Sequence, residues 1–389
     1  MKYLYLLGCS LFVAAPALAQ GKAEASVGPD NQYDSKVIVV TATGSDQAIG
    51  QTGQSVSVIG ADEIASIQGA DITRVLERLP SVAFTRNGPL GSSTSMFVRG
   101  ANSEQLLVLV DAVRMADVAA PSGGFDFGTL LPGGIGRIEL LRGSNSVVWG
   151  SDAIGGVLAL TTRREQGVRA AVEYGANESV DASADAGLKG DRYFLGIDGG
   201  YSRSDGISAY APGSEADGFR QWRIGGRGQF NLTDEIALVA SARHADSRIE
   251  YDGFPPPTYS FADTPEYQTT RQTSGRTGIE YDAGSLSLRS GVALSNTKRA
   301  YFDPTFGSAP SFETDGRSVR ADLAGKAELG AGFTLNFGGD SEWTRFSTTF
   351  DARQKARLTS GHALLGWANE VLSLAAGARI DDHSRFGSH

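Results

Sequence analysis

From residue 164 to residue 389 the sequence alternates apolar and polar side chains with a period of two, which constrains the fold more than any other feature. Val180, Ala182, Ala184, Ala186 and Leu188 alternate with Asp181, Ser183, Asp185 and Gly187. Val319, Ala321, Leu323, Gly325, Ala327 and Leu329 alternate with Arg320, Asp322, Ala324, Lys326 and Glu328. Tyr193 to Tyr201, Leu286 to Leu294 and Leu372 to Ile380 repeat the pattern. Successive side chains of a strand point to opposite faces, so each stretch reads as a strand with one apolar and one polar face. A soluble sandwich would bury the apolar face against a second sheet, whereas a membrane barrel turns it to lipid and lines its lumen with the polar face.

Three details favour the barrel. Its strands are expected to run about 9 to 13 residues, longer than the five or six usual in soluble sheets. Tyr193, Tyr201, Phe230 and Phe333 cluster near strand ends, where an interfacial girdle belongs. Short turns such as 231–234 alternate with long polar excursions at 205–220 and 249–266. At roughly 20 residues per strand and connection, the stretch holds about eleven strands.

The N-terminus reads as an export signal over residues 1–19. Lys2 precedes an apolar run from Tyr3 to Ala15, and Ala17 and Ala19 supply the small residues for cleavage before Gln20. Leu6-Leu7-Gly8-Cys9 resembles a lipoprotein box, but too few residues separate Lys2 from Cys9 for an apolar segment of about 7 to 15 residues. Cys9 is the only cysteine, so disulfides and thiolate metal sites are excluded downstream. A formal charge of -9 with no basic run argues against nucleic acid. With 41% hydrophobic and 20% charged residues, disorder as the main state is excluded too.

Residues 20–36 are polar, and Val37-Ile38-Val39-Val40-Thr41-Ala42 is a short β-branched run with no obvious partner beside it. Between this run and Arg163 the pattern is a compact α+β domain. Asp71 can cap a helix whose Ile72, Val75, Leu76 and Leu79 share a face and which Pro80 ends. Short buried strands are expected at 96–98, 106–110, 138–141 and 157–161. The four histidines fit no nucleophile, zinc or phosphate-loop spacing, so no enzyme is expected.

The domain carries Leu79-Pro80-Ser81-Val82, Phe97-Val98-Arg99-Gly100, Val108 to Arg114, Ile138 to Gly143 and Trp149 to Val157 in that order. Over its whole length it resembles the plug domain of the TonB-dependent outer-membrane receptors. Gly150 to Gly156 and the closing Asp381 to His389 are most similar to the vitamin B12 (cobalamin) transporters of that family. Departures are Ala112 where glycine is usual, Ser144 where proline is common and Trp149 where tyrosine is common.

The resemblance implies a fold class of membrane β-barrel with an N-terminal α+β plug. Residues 20–36 become a flexible periplasmic leader, 37–42 a Ton box, 43–163 the plug and 164–389 the N-terminal half of the barrel. Such receptors close 22 strands, so about 11 implies a fragment that does not close alone. The implied function is TonB-dependent import of cobalamin across the outer membrane of a Gram-negative bacterium. The alternatives are an iron-siderophore or haem receptor and, in another class, a passive porin or adhesin. The implied TonB-binding residues are Val37, Ile38, Val39, Val40, Thr41 and Ala42, a buried first strand being the other reading. TonB, outer-membrane lipid and a corrinoid are the implied partners, the corrinoid touching Ser95, Asn102, Ala120 and Pro121. Vitamin B12 transporters order outer loops with calcium, which makes Glu215, Asp217, Tyr251, Asp252 and Asp263 candidate ligands. Solvated loop acids are the other reading of that group, and Ser208 stands where a further acid is expected. Asp111, Arg99 and Arg142 read as plug-to-barrel ion pairs.

Overall fold

The computed structural model describes residues 38–39, 47–48 and 55–388, apart from 116, 121, 122, 370 and 371. The expected signal, the leader, Val37, Val40, Thr41, Ala42 and Pro121 lie outside the described residues. The described residues begin with β1 (Ile38–Val39) paired to β2 (Gln47–Ala48), Ile38 opposite Ala48 and Val39 opposite Gln47. The run therefore has a partner that the sequence did not suggest, though a two-residue ladder is marginal on its own.

A small α+β domain follows, formed by β3 (Ser55–Gly60), α1 (Ala61–Ala65), α2 (Ile72–Leu76), β4 (Val82–Arg86), β5 (Thr94–Val98), β6 (Leu106–Val110), β7 (Val113–Arg114), β8 (Ile135–Arg142), α3 (Ser146–Trp149) and β9 (Gly156–Thr162). Asp71 caps α2 by accepting from the Thr73 amide at 3.0 Å, and Val75 and Leu76 are fully buried. The main sheet runs β3-β8-β9-β6-β7, with β6 parallel to β9. Every residue of β6 is buried, which its unbroken Leu-Leu-Val-Leu-Val run anticipates for a strand covered on both faces. Helix α2 and Met96 close the core against Leu140 and Leu158.

The second part is one antiparallel sheet of twelve strands in sequential order. It comprises β10 (Gly167–Gly175), β11 (Ser179–Lys189), β12 (Tyr193–Ser204), β13 (Phe219–Asn231), β14 (Ile236–Glu250), β15 (Tyr267–Asp282), β16 (Leu286–Phe302), β17 (Phe312–Gly330), β18 (Phe333–Thr348), β19 (Gln354–Ala368), β20 (Ser373–His383) and the two-residue β21 (Gly387–Ser388). The strands reach 19 residues in β17, longer than the expected 13, because pairing continues beyond the apolar band into charged sequence. Among the described residues the edge strands β10 and β21 each pair with one neighbour, so the barrel is not closed. No helix among the described residues is long and apolar enough to cross a membrane.

The sheet wraps the small domain, with contacts spread from β10 to β20. Gly69 donates its amide to Glu173 of β10, Gln221 of β13 donates to the Thr129 carbonyl at 2.7 Å, and Arg379 of β20 reaches the Val148 carbonyl. Residues on the opposite face, such as Ile197, Ile224 and Leu374, are exposed. Inside, charges pair across strands: Arg276 with Asp322, Arg320 with Asp340 at 2.9 Å and Arg379 with Asp340 at 3.8 Å. Buried charge is tolerated when paired in this way, and the alternation thus has its polar face inward, as expected for a barrel.

Candidate functional site

Connections 190–192, 232–235, 283–285 and 331–332 are short and share one edge of the sheet. Those at 205–218, 251–266 and 303–311 are long and share the other. Two features meet at this long-loop edge: an acidic cluster and an aromatic mouth.

Loops 205–218 and 251–266 bring Glu215, Asp252 and Asp263 together, each offering an oxygen within 4.8 Å of the others. Backbone amides hold the carboxylates in place. Tyr210 donates to Asp252 Oδ2 at 2.6 Å, Thr264 to Asp252 Oδ1 at 3.0 Å, and Ser214 to Asp263 Oδ2 at 2.8 Å. Asp217 sits beside them and accepts from the Ala209 amide at 2.6 Å. The Ser208 hydroxyl lies 3.1 Å from Asp252, so this position joins the cluster although it is not an acid. Gly206 makes the approach possible, with φ +73° and only 1.9 Å between an added Cβ and the Asp217 carbonyl oxygen. Tyr251 is held by a 3.0 Å bond from its amide to the Glu266 carbonyl, and its phenol is pushed up by burial and by Glu266, Tyr301 and Asp303. It thus belongs to the edge of the cluster rather than to the three carboxylates that converge.

Burial, then Asp217, Asp263 and Asp252, pushes the Glu215 carboxyl up to about 7. Burial, partly offset by the Ala209 amide, pushes Asp217 up to about 6, with Asp252 adding to the shift. Asp217 Oδ1 and Asp263 Oδ1 are buried without a hydrogen-bond donor among the described residues. An all-oxygen donor set with repelling carboxylates and orphaned oxygens fits a hard divalent cation.

The mouth is built where the turn after β7 meets the wall. Asp117 caps this turn by accepting from the Ala119 amide at 3.1 Å, and the Ala120 amide donates to the Asp117 carbonyl, also at 3.1 Å. Asp117 is buried and paired with Arg299 of β16, while a Cβ on Gly316 of β17 would sit 3.0 Å from Ala119. Arg299 and Gly316 therefore face inward. Tyr301 and Phe312 share their faces by the two-residue period and stand opposite each other with ring centroids 5.7 Å apart. Phe350 stacks on Phe312 at 5.8 Å and is 79% exposed. Beneath them Asp126 accepts from the Thr94 and Gly128 amides at 2.9 Å, and burial raises its carboxyl despite these bonds.

Of the expected ligand residues, Ala120 lies in this turn. Ser95 is in β5 opposite Thr85, and Asn102 is engaged in a capping box with Gln105. Asp117, Arg299, Tyr301 and Phe312 were missed in the sequence. Their signal was present: Thr297, Arg299 and Tyr301 alternate on what the period marks as the polar face of β16. Asp111 does meet the wall, at 3.0 Å from Arg227 of β13, whereas Arg142 bonds Ser57 within its own domain.

Residues 48–157 match the family model described as the TonB-dependent Receptor Plug Domain. The chain carries a TonB-dependent receptor plug domain. In structure it is similar to the siderophore receptor PirA of Acinetobacter baumannii, with a TM-score of 0.68 and 18% identity over 86% of this chain and 57% of that one. It is also similar to a variant of the ferric enterobactin receptor PfeA of Pseudomonas aeruginosa, with a TM-score of 0.69 and 19% identity over 91% of this chain and 60% of that one. For the ferric yersiniabactin uptake receptor FyuA of Yersinia pestis the TM-score is 0.67 at 15% identity, over 85% of this chain and 56% of that one. The chain thus spans somewhat over half the length of these solved receptors. The likeness establishes a plug enclosed by barrel strands, and with the plug match it places the protein in the outer membrane of a Gram-negative bacterium. The long-loop edge is then the cell-exterior edge, and the mouth opens outward above the plug turn.

Proposed function

We propose that the protein imports an iron chelate with aromatic groups, by TonB-dependent transport through the plug-filled barrel. The observation that carries the ligand class is the inward pair Tyr301 and Phe312, with Arg299 at its foot and Phe350 stacked at its rim. Aromatic faces suit a flat aromatic chelate by stacking, while Arg299, neutralised by Asp117, anchors the plug turn beneath them. The likeness in fold to siderophore receptors supports the same direction. In this account the chelate sits over the turn from Asp117 to Ala120, and the run Val37 to Ala42 is handed to TonB as an added strand. The two-residue pairing of Ile38 and Val39 with β2 is weak enough to be exchanged for that strand.

A second reading, cobalamin, is favoured by the acidic loop cluster, through its resemblance to the calcium-ordered loops of vitamin B12 transporters. In either case we assign Glu215, Asp252 and Asp263 as holders of a calcium ion, with Asp217 beside them. The ion would supply the positive charge that these four carboxylates lack, fixing the two loops over the mouth.

Ligand affinity measured on a panel of ferric catecholates, ferric hydroxamates and cobalamin tests the assignment. Catecholate binding that falls at least about tenfold in Tyr301→Ala and Phe312→Ala is expected, in line with loss of well-packed aromatic anchors. Tight cobalamin binding that ignores both substitutions would replace the iron reading with the corrinoid one.

A further inference from the structure

The plug is seated tightly against two flanks of the wall and loosely against the stretch between them. On the β10–β13 flank, Gln221 bonds the Thr129 carbonyl at 2.7 Å and Asp111 meets Arg227 at 3.0 Å. A Cβ on Gly133 would lie 2.9 Å from that of Ser183, and one on Gly134 would lie 3.0 Å from Asp198. The cavity on this flank, beside Thr162 and Arg163, measures about 10 Å³, roughly the space of one water. On the β19–β20 flank, Arg379 reaches the Val148 carbonyl at 3.3 Å, and a Cβ on Gly377 would touch Val147 at 3.0 Å.

Along β14–β18 the plug stands off from the wall. Two cavities of about 130 and about 420 Å³ lie there and share Leu109, Ala112, Trp149, Arg276, Glu280 and Arg289 in their linings. Because they adjoin, they run together from Ser295 and Ser318 to Asp282, Gly284 and Glu328 at the short-connection edge. Arg276 is paired with Asp322 and Arg320 with Asp340 along the way. Trp149 adds an aromatic surface where the two cavities join.

Above Ser295 and Ser318 a single plug segment shuts the way. Ser318 lies two residues below Gly316, about 7 Å along β17, and Ser295 lies four below Arg299 on β16. Gly316 packs on Ala119, and Arg299 pairs with Asp117. The turn from Asp117 to Ala120 therefore separates the aromatic mouth from the cavities. Its hold on the wall is slight, with Asp117–Arg299 its one ion pair to the wall among the described residues. Behind it, β7 is a two-residue edge strand bonded only to β6. Segments with so few contacts open locally, and this one can swing while β6, β8 and β9 stay paired.

We propose that the imported ligand passes between plug and wall along β14–β18, the turn 117–120 acting as the gate and the Asp117–Arg299 pair as its latch, while the rest of the plug stays seated. The inference rests on the proposed TonB-dependent import and adds which part of the plug moves and where the route runs.

The test ties the plug to the wall at two places. Residues 20–389 contain no cysteine, so an introduced pair has no competitor there. Ala119→Cys with Gly316→Cys locks the gate, the two Cβ positions being 3.0 Å apart, close to the roughly 3.8 Å of a disulfide. Gly133→Cys with Ser183→Cys locks the tight flank instead, the flexible end of Arg223 yielding. Surface binding and uptake of a radio-iron-labelled ferric catecholate are measured in cells carrying each variant, first oxidised and then reduced. The gate lock is expected to keep binding and to lose uptake until it is reduced, and the flank lock to keep both throughout. Uptake through the oxidised gate lock would overturn the proposal. Loss of uptake in the oxidised flank lock, regained on reduction, would overturn it too, because the plug would then have to leave as a whole. Should either pair fail to give a receptor that binds, Ala324→Phe decides, since it narrows the cavity without touching the turn. Binding kept with uptake lost supports the route, and parent-like uptake rejects it. Uptake by the parent without TonB would refute the import reading itself. Absence of catecholate binding by the parent would refute the ligand class alone, and labelled cobalamin then takes its place in the same comparison.

Discussion

Asp111 of the plug lies 3.0 Å from Arg227 of the barrel wall, and both side chains are nearly buried. Asp111 also accepts from the Thr162 amide at 3.0 Å, and Arg227 donates to the Thr162 carbonyl at 2.7 Å. One carboxylate and one guanidinium thus tie the β6–β7 turn, the last plug strand and the wall. Removing one member of a buried pair strands the other charge. Asp111→Ala is expected to destabilise the docked plug by about 3 kcal/mol, read as faster amide exchange at Thr162 and a lower denaturation midpoint. Unchanged exchange at Thr162 would show that the pair holds nothing in place.

The same turn explains one departure noted in the sequence. Asp111 and Ala112 join β6 to β7 with φ of 46° and 63°, the left-handed region that favours glycine. Ala112→Gly should therefore stabilise the protein by up to about 1 kcal/mol, relief of left-handed strain outweighing the added chain entropy. A lower unfolding temperature for the glycine variant would contradict this.

Gly206 offers the opposite case. With positive φ and the Asp217 carbonyl against the missing side chain, Gly206→Ala must displace the loop that carries Glu215 and Asp217. A cost of about 2 kcal/mol to local loop stability is expected from left-handed strain and overpacking, together with weaker calcium binding. Proteolysis of the 205–218 loop with and without calcium measures both.

Calcium binding should depend on pH in a defined sense. The folded loops hold protons on Glu215 and Asp217 more tightly than the unfolded chain, since both carboxyls are raised, to about 7 and about 6. Without a cation, loop stability is then greatest at low pH and is lost as pH rises from the ordinary carboxylate range through these values. Calcium competes with those protons. Its affinity should fall about tenfold for each pH unit per displaced proton below about 7, and Asp252→Asn should weaken it at every pH. Titration calorimetry across pH 5 to 8 that finds no calcium binding, or a pH-independent affinity, would leave the cluster as solvated acids.

The barrel face and α2 were legible because they rest on local rules. Period-two alternation separates the paired Arg320 and Asp322 from the outward Val319 and Ala321, and Asp71 is a cap wherever a helix starts after it. The convergence of Glu215, Asp252 and Asp263 could be guessed only from resemblance, since loops 205–218 and 251–266 meet through amide-to-carboxylate bonds that no periodicity encodes. Asp117 and Arg299 are 182 positions apart, and only the wrapping of β16 around the plug joins them. Strand length was underestimated for a related reason. The apolar band sets the membrane crossing, whereas β17 continues pairing through Asp315 and Glu313, where hydrophobicity gives no signal.

The central claim is energised import through a Ton box, and uptake of a radio-iron-labelled ferric catecholate tests it most directly. The cells should carry the gene for this protein as their only receptor for the chelate, with or without TonB, and with Val39 intact or changed as Val39→Pro. Proline removes a backbone donor from the added strand. The account predicts uptake that requires TonB and is abolished by Val39→Pro, while surface binding of the chelate persists in both defective strains. Equal uptake without TonB, or with Val39→Pro, would contradict it and point to a passive barrel.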